Sequence, residues 1–232
     1  MADLTAWQGA HEPQRIGLDG RYARLEPLDV ARHESDLFEA AAAPGAEARF
    51  RYLFDDPPTD RNAFHTWMTK AAASTDPLYS AVIDKRTGRT EGRQALMRIV
   101  PAHGVIEIGS ILWGPAIARS RIATEALFLM AEYVFERLGY RRFEWKCNAL
   151  NVPSRHAALR FGFCYEGTFR QHMVVKGKSR DTAWFAMTDG DWATRKAAYL
   201  AWLAPANFDE TGKQKSRLNV ADHSRWSQSR SL

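Results

Sequence analysis

Along the first third of the chain, apolar residues recur with two different periods. Residues 20–27 (Gly-Arg-Tyr-Ala-Arg-Leu-Glu-Pro) alternate as a strand does, and 29–43, rich in Ala, Leu and Glu, have the composition of a helix. Residues 50–58, Phe-Arg-Tyr-Leu-Phe-Asp-Asp-Pro-Pro, read as an aromatic loop broken by two prolines. From about Asp60 a helix is predicted, because Phe64, Trp67, Met68 and Ala71 fall at i, i+3, i+4 and i+7 and so share one face.

The remaining pattern continues this alternation of periods. Strands are predicted at 78–84 and 91–100 around a Thr87-Gly88 turn, and at 105–113 after Pro101-Ala-His-Gly104. The longest helix is expected over 119–138, with Ile122, Ala126, Met130 and Tyr133 as its apolar stripe and Gly139 as its stop. In the strand 142–147, Phe143, Trp145 and Cys147 alternate with Arg142, Glu144 and Lys146. A helix fits 152–161, capped by Asn151, with Pro153 tolerated in its first turn. Strands at 163–175 and 181–188 flank a turn at Lys176-Gly-Lys-Ser-Arg180. A last helix at 191–203 carries Trp192, Tyr199, Trp202 and Leu203. The order predicts an α/β fold, a mixed sheet with helices on both faces. The terminal aromatic helix reads as core packing or as the contact of a homodimer.

Composition narrows the function classes. With 45% hydrophobic and 25% charged residues among 232, the chain reads as one soluble domain over 15–204, with an N-terminal extension at 1–14 and a polar basic tail at 205–232. No apolar run approaches the roughly 18 residues of a membrane helix, and the N-terminus lacks a secretory pattern, so a cytoplasmic location without membrane association is expected. The net charge of +5 lies mostly in residues 211–232, where Lys213, Lys215, Arg217, Arg225 and Arg230 face only Asp222. The body is therefore nearly neutral, and no nucleic-acid surface is expected on it. Cys147 and Cys164 belong to no CxxC pair and read as small core residues, and no metal site is predicted.

Chemistry concentrates between 105 and 175. Gly114-Pro115 breaks a strand, and the chain enters a helix at Arg119-Ser-Arg-Ile-Ala-Thr124. Backbone N–H groups and the positive end of the helix dipole gather there and suit a pyrophosphate. Further on, Asn148-Ala-Leu-Asn151-Val-Pro-Ser154 leads into a short helix, then Gly162-Phe163 and Glu166-Gly167. With Ala123-Thr-Glu-Ala126 and the basic hairpin Lys176–Asp181, these pieces resemble the GNAT superfamily of acyl-CoA N-acyltransferases, in its branch of ribosomal-protein N-terminal acetyltransferases.

The resemblance implies a mostly antiparallel twisted sheet in which two central strands, at 105–113 and 142–147, splay apart around coenzyme A. It implies acetyl-CoA as cosubstrate, no metal, and an amine acceptor. Carried over, the cofactor-binding residues are Ile111, Leu112, Trp113, Arg119, Ser120, Arg121, Ile122, Ala123, Thr124, Asn148, Asn151, Ser154 and Arg155. The phosphate-loop pattern is imperfect, with Ala118 and Arg121 where Gln or Arg and then Gly are usual. The tyrosine that other branches use as general acid aligns with Ala158, which leaves Ser154 to protonate the departing thiolate. Glu107 and Glu144 are the candidate general bases, and a backbone N–H within 109–113 the carbonyl-polarising group. Asp55-Asp56 with Tyr52, Phe54 and Trp67 reads either as a pocket for a cationic amine or as a solvated turn. A non-catalytic acyl-CoA-binding protein and an RNA-binding tail are the rival readings. A P-loop at Gly177-Lys178-Ser179 is rejected because strand-like residues follow it, and no Gly-x-Ser-x-Gly elbow is present.

Overall fold

Arg93 and Gln94 sit side by side on one strand and meet different helices, which shows how the layers are built. The computed structural model describes residues 3–220, and the chain divides into two compact units, Met1–Phe143 and Glu144–Leu232. In the first, strands β1 (Leu18–Asp19), β2 (Ala23–Pro27), β3 (Leu78–Asp84), β4 (Thr90–Val100) and β5 (Val105–Trp113) pair consecutively and antiparallel. Helices α1 (Val30–Ala42), α2 (Ala46–Phe50) and α3 (Arg61–Ala73) lie between β2 and β3, and α4 (Arg121–Glu132) follows β5. Consecutive strand residues point to opposite faces. Arg93 stacks on Trp67 of α3, whereas Gln94 donates to the Ala126 carbonyl of α4 at 2.9 Å. Helices therefore cover both faces of this sheet. On the α1–α3 side Leu28, Leu37, Phe64, Met68, Ala71, Ala81 and Ile83 form one buried cluster.

The caps explain the helix boundaries. Asp29 and Asp60 accept backbone N–H groups at the starts of α1 and α3, at 2.9 and 2.7 Å. The expected helix 119–138 is shorter and changes type. Arg119 has a left-handed φ of 61°, so the helix opens two residues later, at Arg121 after the Ser120 cap, and Tyr133–Arg137 continues as a π turn. The expected single stripe is also too narrow, since every residue from Ala123 to Ala131 is buried. The one-turn helix α2 inside the first loop escaped the pattern because five residues carry no period. Its preceding turn is tied by Arg49, whose guanidinium donates to the Pro44 carbonyl at 2.8 Å. The N-terminal segment packs on this unit: Trp7 donates to the Ala102 carbonyl at 2.8 Å and Gln14 N–H to the Tyr133 hydroxyl at 2.9 Å.

In the second unit the strand order is β6 (Arg142–Asn148), β8 (Lys178–Thr188), β7 (Cys164–Val175), accompanied by α5 (Val152–Arg160) and α6 (Asp189–Leu203). The β7–β8 turn is tighter than expected. Lys176 and Gly177 both take positive φ, 49° and 70°, as a two-residue primed turn requires, so Lys178–Arg180 pair within β8. Thr188 and Asp191 form a capping box at the start of α6. The segment after Pro205 differs from the polar tail expected there. Phe208, Leu218 and Val220 are buried, Phe208 packs edge-on against Trp202, and Trp202 donates to the Ser216 carbonyl at 3.1 Å. Sparse apolar residues at 208, 218 and 220 have no period, which is why the pattern concealed this docking. The basic residues Arg225 and Arg230 lie outside the described residues.

Candidate functional site

Strand β5 is irregular where the chemistry was expected. Arg93 pairs with Leu112 and Ala95 with Gly109, so β5 holds one residue more than β4 across this step. That is a β-bulge. Ser110 sits in it with a left-handed φ of 50°, a conformation that costs an ordinary residue energy unless its surroundings hold it. Arg93 supplies that hold. Only 1% exposed, it donates through Nη1 to the Ser110 carbonyl at 2.9 Å and to Ser110 Oγ at 2.6 Å. Its other nitrogen pairs with Asp55, and its guanidinium lies 4.5 Å from the Trp67 ring. The Tyr79 hydroxyl is 3.2 Å from Ser110 Oγ. Asp55 is thus already bound to a cation of the protein itself, while Phe54 is half exposed.

Around the bulge, the predicted residues divide. Glu107 is 3% exposed and pairs with Arg98 at 2.8 Å. A Cβ at Gly109 would lie 3.4 Å from Glu107 Oε1, so the carboxylate lies against the strand just before the bulge. Leu112 faces inward, packed with Ala41 and Phe50, and its backbone pairs with Arg93 of β4. Trp113 is partly exposed and donates to Gln94 Oε1 at 3.3 Å. Ile111 is also partly exposed.

At the start of α4, Ser120 Oγ accepts the N–H groups of Ile122 and Ala123 at 3.1 and 3.4 Å, and Thr124 Oγ1 donates to the Ser120 carbonyl at 3.0 Å. Four of the residues assigned to phosphate, Ser120, Ile122, Ala123 and Thr124, are therefore engaged in the helix's own cap. The side chains of Ala123 and Thr124 are buried. Arg119 is exposed, and the Arg121 guanidinium lies 4.3 Å from the Tyr22 ring. The twelve-residue helix and the two arginines suit an anionic diphosphate in charge.

The second unit gathers a separate polar group. Asn148 Oδ1 accepts Leu150 N–H at 2.9 Å and Asn151 Oδ1 accepts Ser154 N–H at 3.2 Å, so both amides shape the turn into α5. Arg155 reaches the Ala149 carbonyl at 3.4 Å. Ser154 Oγ accepts from Trp145 Nε1 at 3.0 Å. An indole nitrogen can only donate, so Ser154 keeps its own O–H to give to another acceptor. Cys147 adjoins Ser154, and burial pushes its thiol up, which keeps it neutral near pH 7. Glu144 and Lys146 pair at 2.6 Å with side chains 7% exposed, as their shared strand face predicts, and the ammonium lies 3.9 Å from the Trp184 ring.

A family model described as "Acetyltransferase (GNAT) domain" matches residues 24–164. The chain belongs to the GNAT acetyltransferases. A GCN5-related N-acetyltransferase from Brucella melitensis is 57% identical, with a TM-score of 0.90, covering 91% of this chain and 96% of that one. A GNAT-family protein from Chromobacterium violaceum is 40% identical, with a TM-score of 0.77, covering 83% and 96%. A ribosomal L7/L12 alpha-N-protein acetyltransferase shares the fold at a TM-score of 0.65 and 18% identity, over 75% of this chain and 94% of that one. No curated protein matches the chain. Among the described residues, eight strands, mostly antiparallel, and six α-helices agree with the GNAT architecture. Sequence reasoning missed Arg93, Gln94, Ser110 and Glu125. Glu125 lies inside the quoted Ala123–Ala126 tetrapeptide, and its buried carboxylate accepts the N–H groups of Arg21, Tyr22 and Ala23 at 2.5–2.9 Å. A lone charged residue in a buried helix was the available signal for it.

Proposed function

We propose that this GNAT acetyltransferase moves the acetyl group of acetyl-CoA onto a primary amine of a small molecule or of a protein N-terminus, and that it works in the cytoplasm. The observation that carries the reading is the bulge of β5, which turns a backbone segment out of its ladder beside a buried carboxylate. Acetyl transfer needs a donor where the thioester oxygen gains charge, and a strand N–H freed by a bulge is suited to that task. Glu107 takes the proton of the arriving ammonium, directly or through water, after exchanging its contact with Arg98. Ser154, with its O–H uncommitted to Trp145, protonates the departing thiolate. Arg119, Arg121 and the dipole of α4 hold the diphosphate of the cosubstrate, which carries the acetyl group as a thioester. Among the described residues no helix is long and apolar enough to cross a membrane, and no group of three or more His, Cys, Asp or Glu could hold a metal ion.

Two measurements test the proposal. Acetyl-CoA at about 100 times its dissociation constant stabilises the fold by roughly 2.7 kcal/mol, and an unmoved melting temperature at millimolar acetyl-CoA defeats it. Release of the coenzyme A thiol across a panel of amines then separates catalysis from the rival, an acyl-CoA-binding protein that binds without turnover.

A further inference from the structure

Arg93 is the most fully buried charged group of the first unit, and the chemistry proposed above does not use it. Its contacts are unusual in their aim. Two hydrogen bonds go to one residue, Ser110, and that residue is the left-handed bulge of β5. The remaining contacts fasten the guanidinium itself: Asp55 from the loop between α2 and α3, the Trp67 ring at 4.5 Å and the Tyr79 ring at 5.7 Å.

We infer that Arg93 is a positioning residue that holds the Ser110 bulge in its left-handed form, and so aims the backbone N–H that meets the thioester carbonyl. The inference rests on the proposed acetyl-CoA reaction. A planar guanidinium reaches a carbonyl, a hydroxyl and a carboxylate at once from a fixed plane, whereas an ammonium offers the same charge from a single point. Without the two bonds to Ser110, φ of 50° loses its compensation and the strand relaxes toward a regular ladder. An N–H displaced by about 1 Å from the carbonyl oxygen can cost about 10²-fold in rate. Asp55 orients the guanidinium and ties the aromatic loop to the same latch.

The test reads the carbonyl directly, so the acceptor need not be known. Acetyl-CoA labelled with ¹³C at the thioester carbonyl is bound to the wild type, Arg93→Lys and Asp55→Asn, and its carbonyl stretch is recorded by isotope-edited infrared spectroscopy at saturation. The wild type is expected to lower the frequency relative to free acetyl-CoA, and both variants to lose most of that shift with a dissociation constant changed by less than about threefold. Placing Ser110→Gly in the Arg93→Lys background should restore part of the shift, because glycine adopts positive φ without strain. A merely structural role would lower the melting temperature and leave the frequency of the bound fraction unchanged. Should Arg93→Lys fail to fold, Asp55→Asn decides the matter. A wild type that binds acetyl-CoA with no shift, or variants that keep the full shift, overturn the inference alone. A wild type that does not bind acetyl-CoA at all removes the proposed function with it.

Discussion

Strands β5 and β6 each present a buried carboxylate paired with a cation two or more residues away, yet the two pairs differ in what they can do. Glu107 is bound to Arg98, whose side chain is 40% exposed, so its partner has room to swing into solvent. Glu144 is bound to Lys146, and both side chains are 7% exposed, with the ammonium pinned over Trp184. A carboxylate whose partner can leave is able to accept a proton during turnover. One whose partner is walled in is committed to holding charge in place, because separating a buried pair strands both ions. On that difference we propose β5 for the proton transfer and β6 for structure, although residue type and burial alone make the two glutamates look alike.

The sharpest way to break this comparison is to remove each carboxylate in turn. Glu107→Gln is expected to lower kcat by roughly 10²–10⁴, the usual worth of a general base, with acetyl-CoA affinity little changed, whereas Glu144→Gln should leave kcat within a few-fold. Near-full kcat in Glu107→Gln, measured with the best acceptor found, transfers the role to Glu144 or to solvent. The same two variants separate the pairs by the cation each leaves behind. Glu144→Gln leaves the Lys146 ammonium, 7% exposed, and should destabilise the fold by about 3 kcal/mol, as breaking a buried pair from one side does, while Glu107→Gln leaves Arg98, 40% exposed, and costs less than about 1 kcal/mol. Denaturant titration of both variants checks the order, and equal losses dissolve the distinction between the pairs.

A smaller effect is expected at Ser154. Ser154→Ala should reduce kcat by less than about tenfold, since water can protonate the thiolate, and should also leave Trp145 Nε1 without its partner at a cost of about 1 kcal/mol. Steady-state rates and melting temperature together separate the two consequences. The smallest effect concerns a third carboxylate, Glu26, which meets Arg24, Arg32 and the buried His33. Burial lowers the His33 pKa below its ordinary 6.5 even beside Glu26. The folded state therefore binds this proton less readily than the unfolded chain, so the His33 contribution is complete above about pH 6.5 and is lost as pH falls below it. A slight fall in melting temperature between about pH 7 and pH 5.5, absent in His33→Gln, is the expected signature.

Much of this was legible beforehand. The strands at 78–84 and 105–113 lie where the pattern places them, and the helices expected from about 29, 60 and 152 start there, capped by Asp29, Asp60 and Asn151 through side-chain chemistry that acts within three residues. Local caps survive translation into three dimensions because their partners are local. The bulge at Ser110 was not legible, since its cause is Arg93, seventeen positions earlier. Nor was the spent charge of Asp55, which from the sequence was free to attract an amine and in the fold belongs to Arg93. The packing of Phe208, Leu218 and Val220 likewise depends on a surface built elsewhere in the second unit.

By itself, then, the sequence determined the order of the longer elements, the helix starts at α1, α3 and α5, the family and the residue types available for acetyl transfer, because periodicity, capping and contiguous motifs are short-range properties of the chain. Only the tertiary structure decided which carboxylate keeps a movable partner, which arginine holds the left-handed turn of β5, and which end segment docks. Those outcomes depend on what each charge is buried against, and burial is set by residues far away in sequence that no local pattern names.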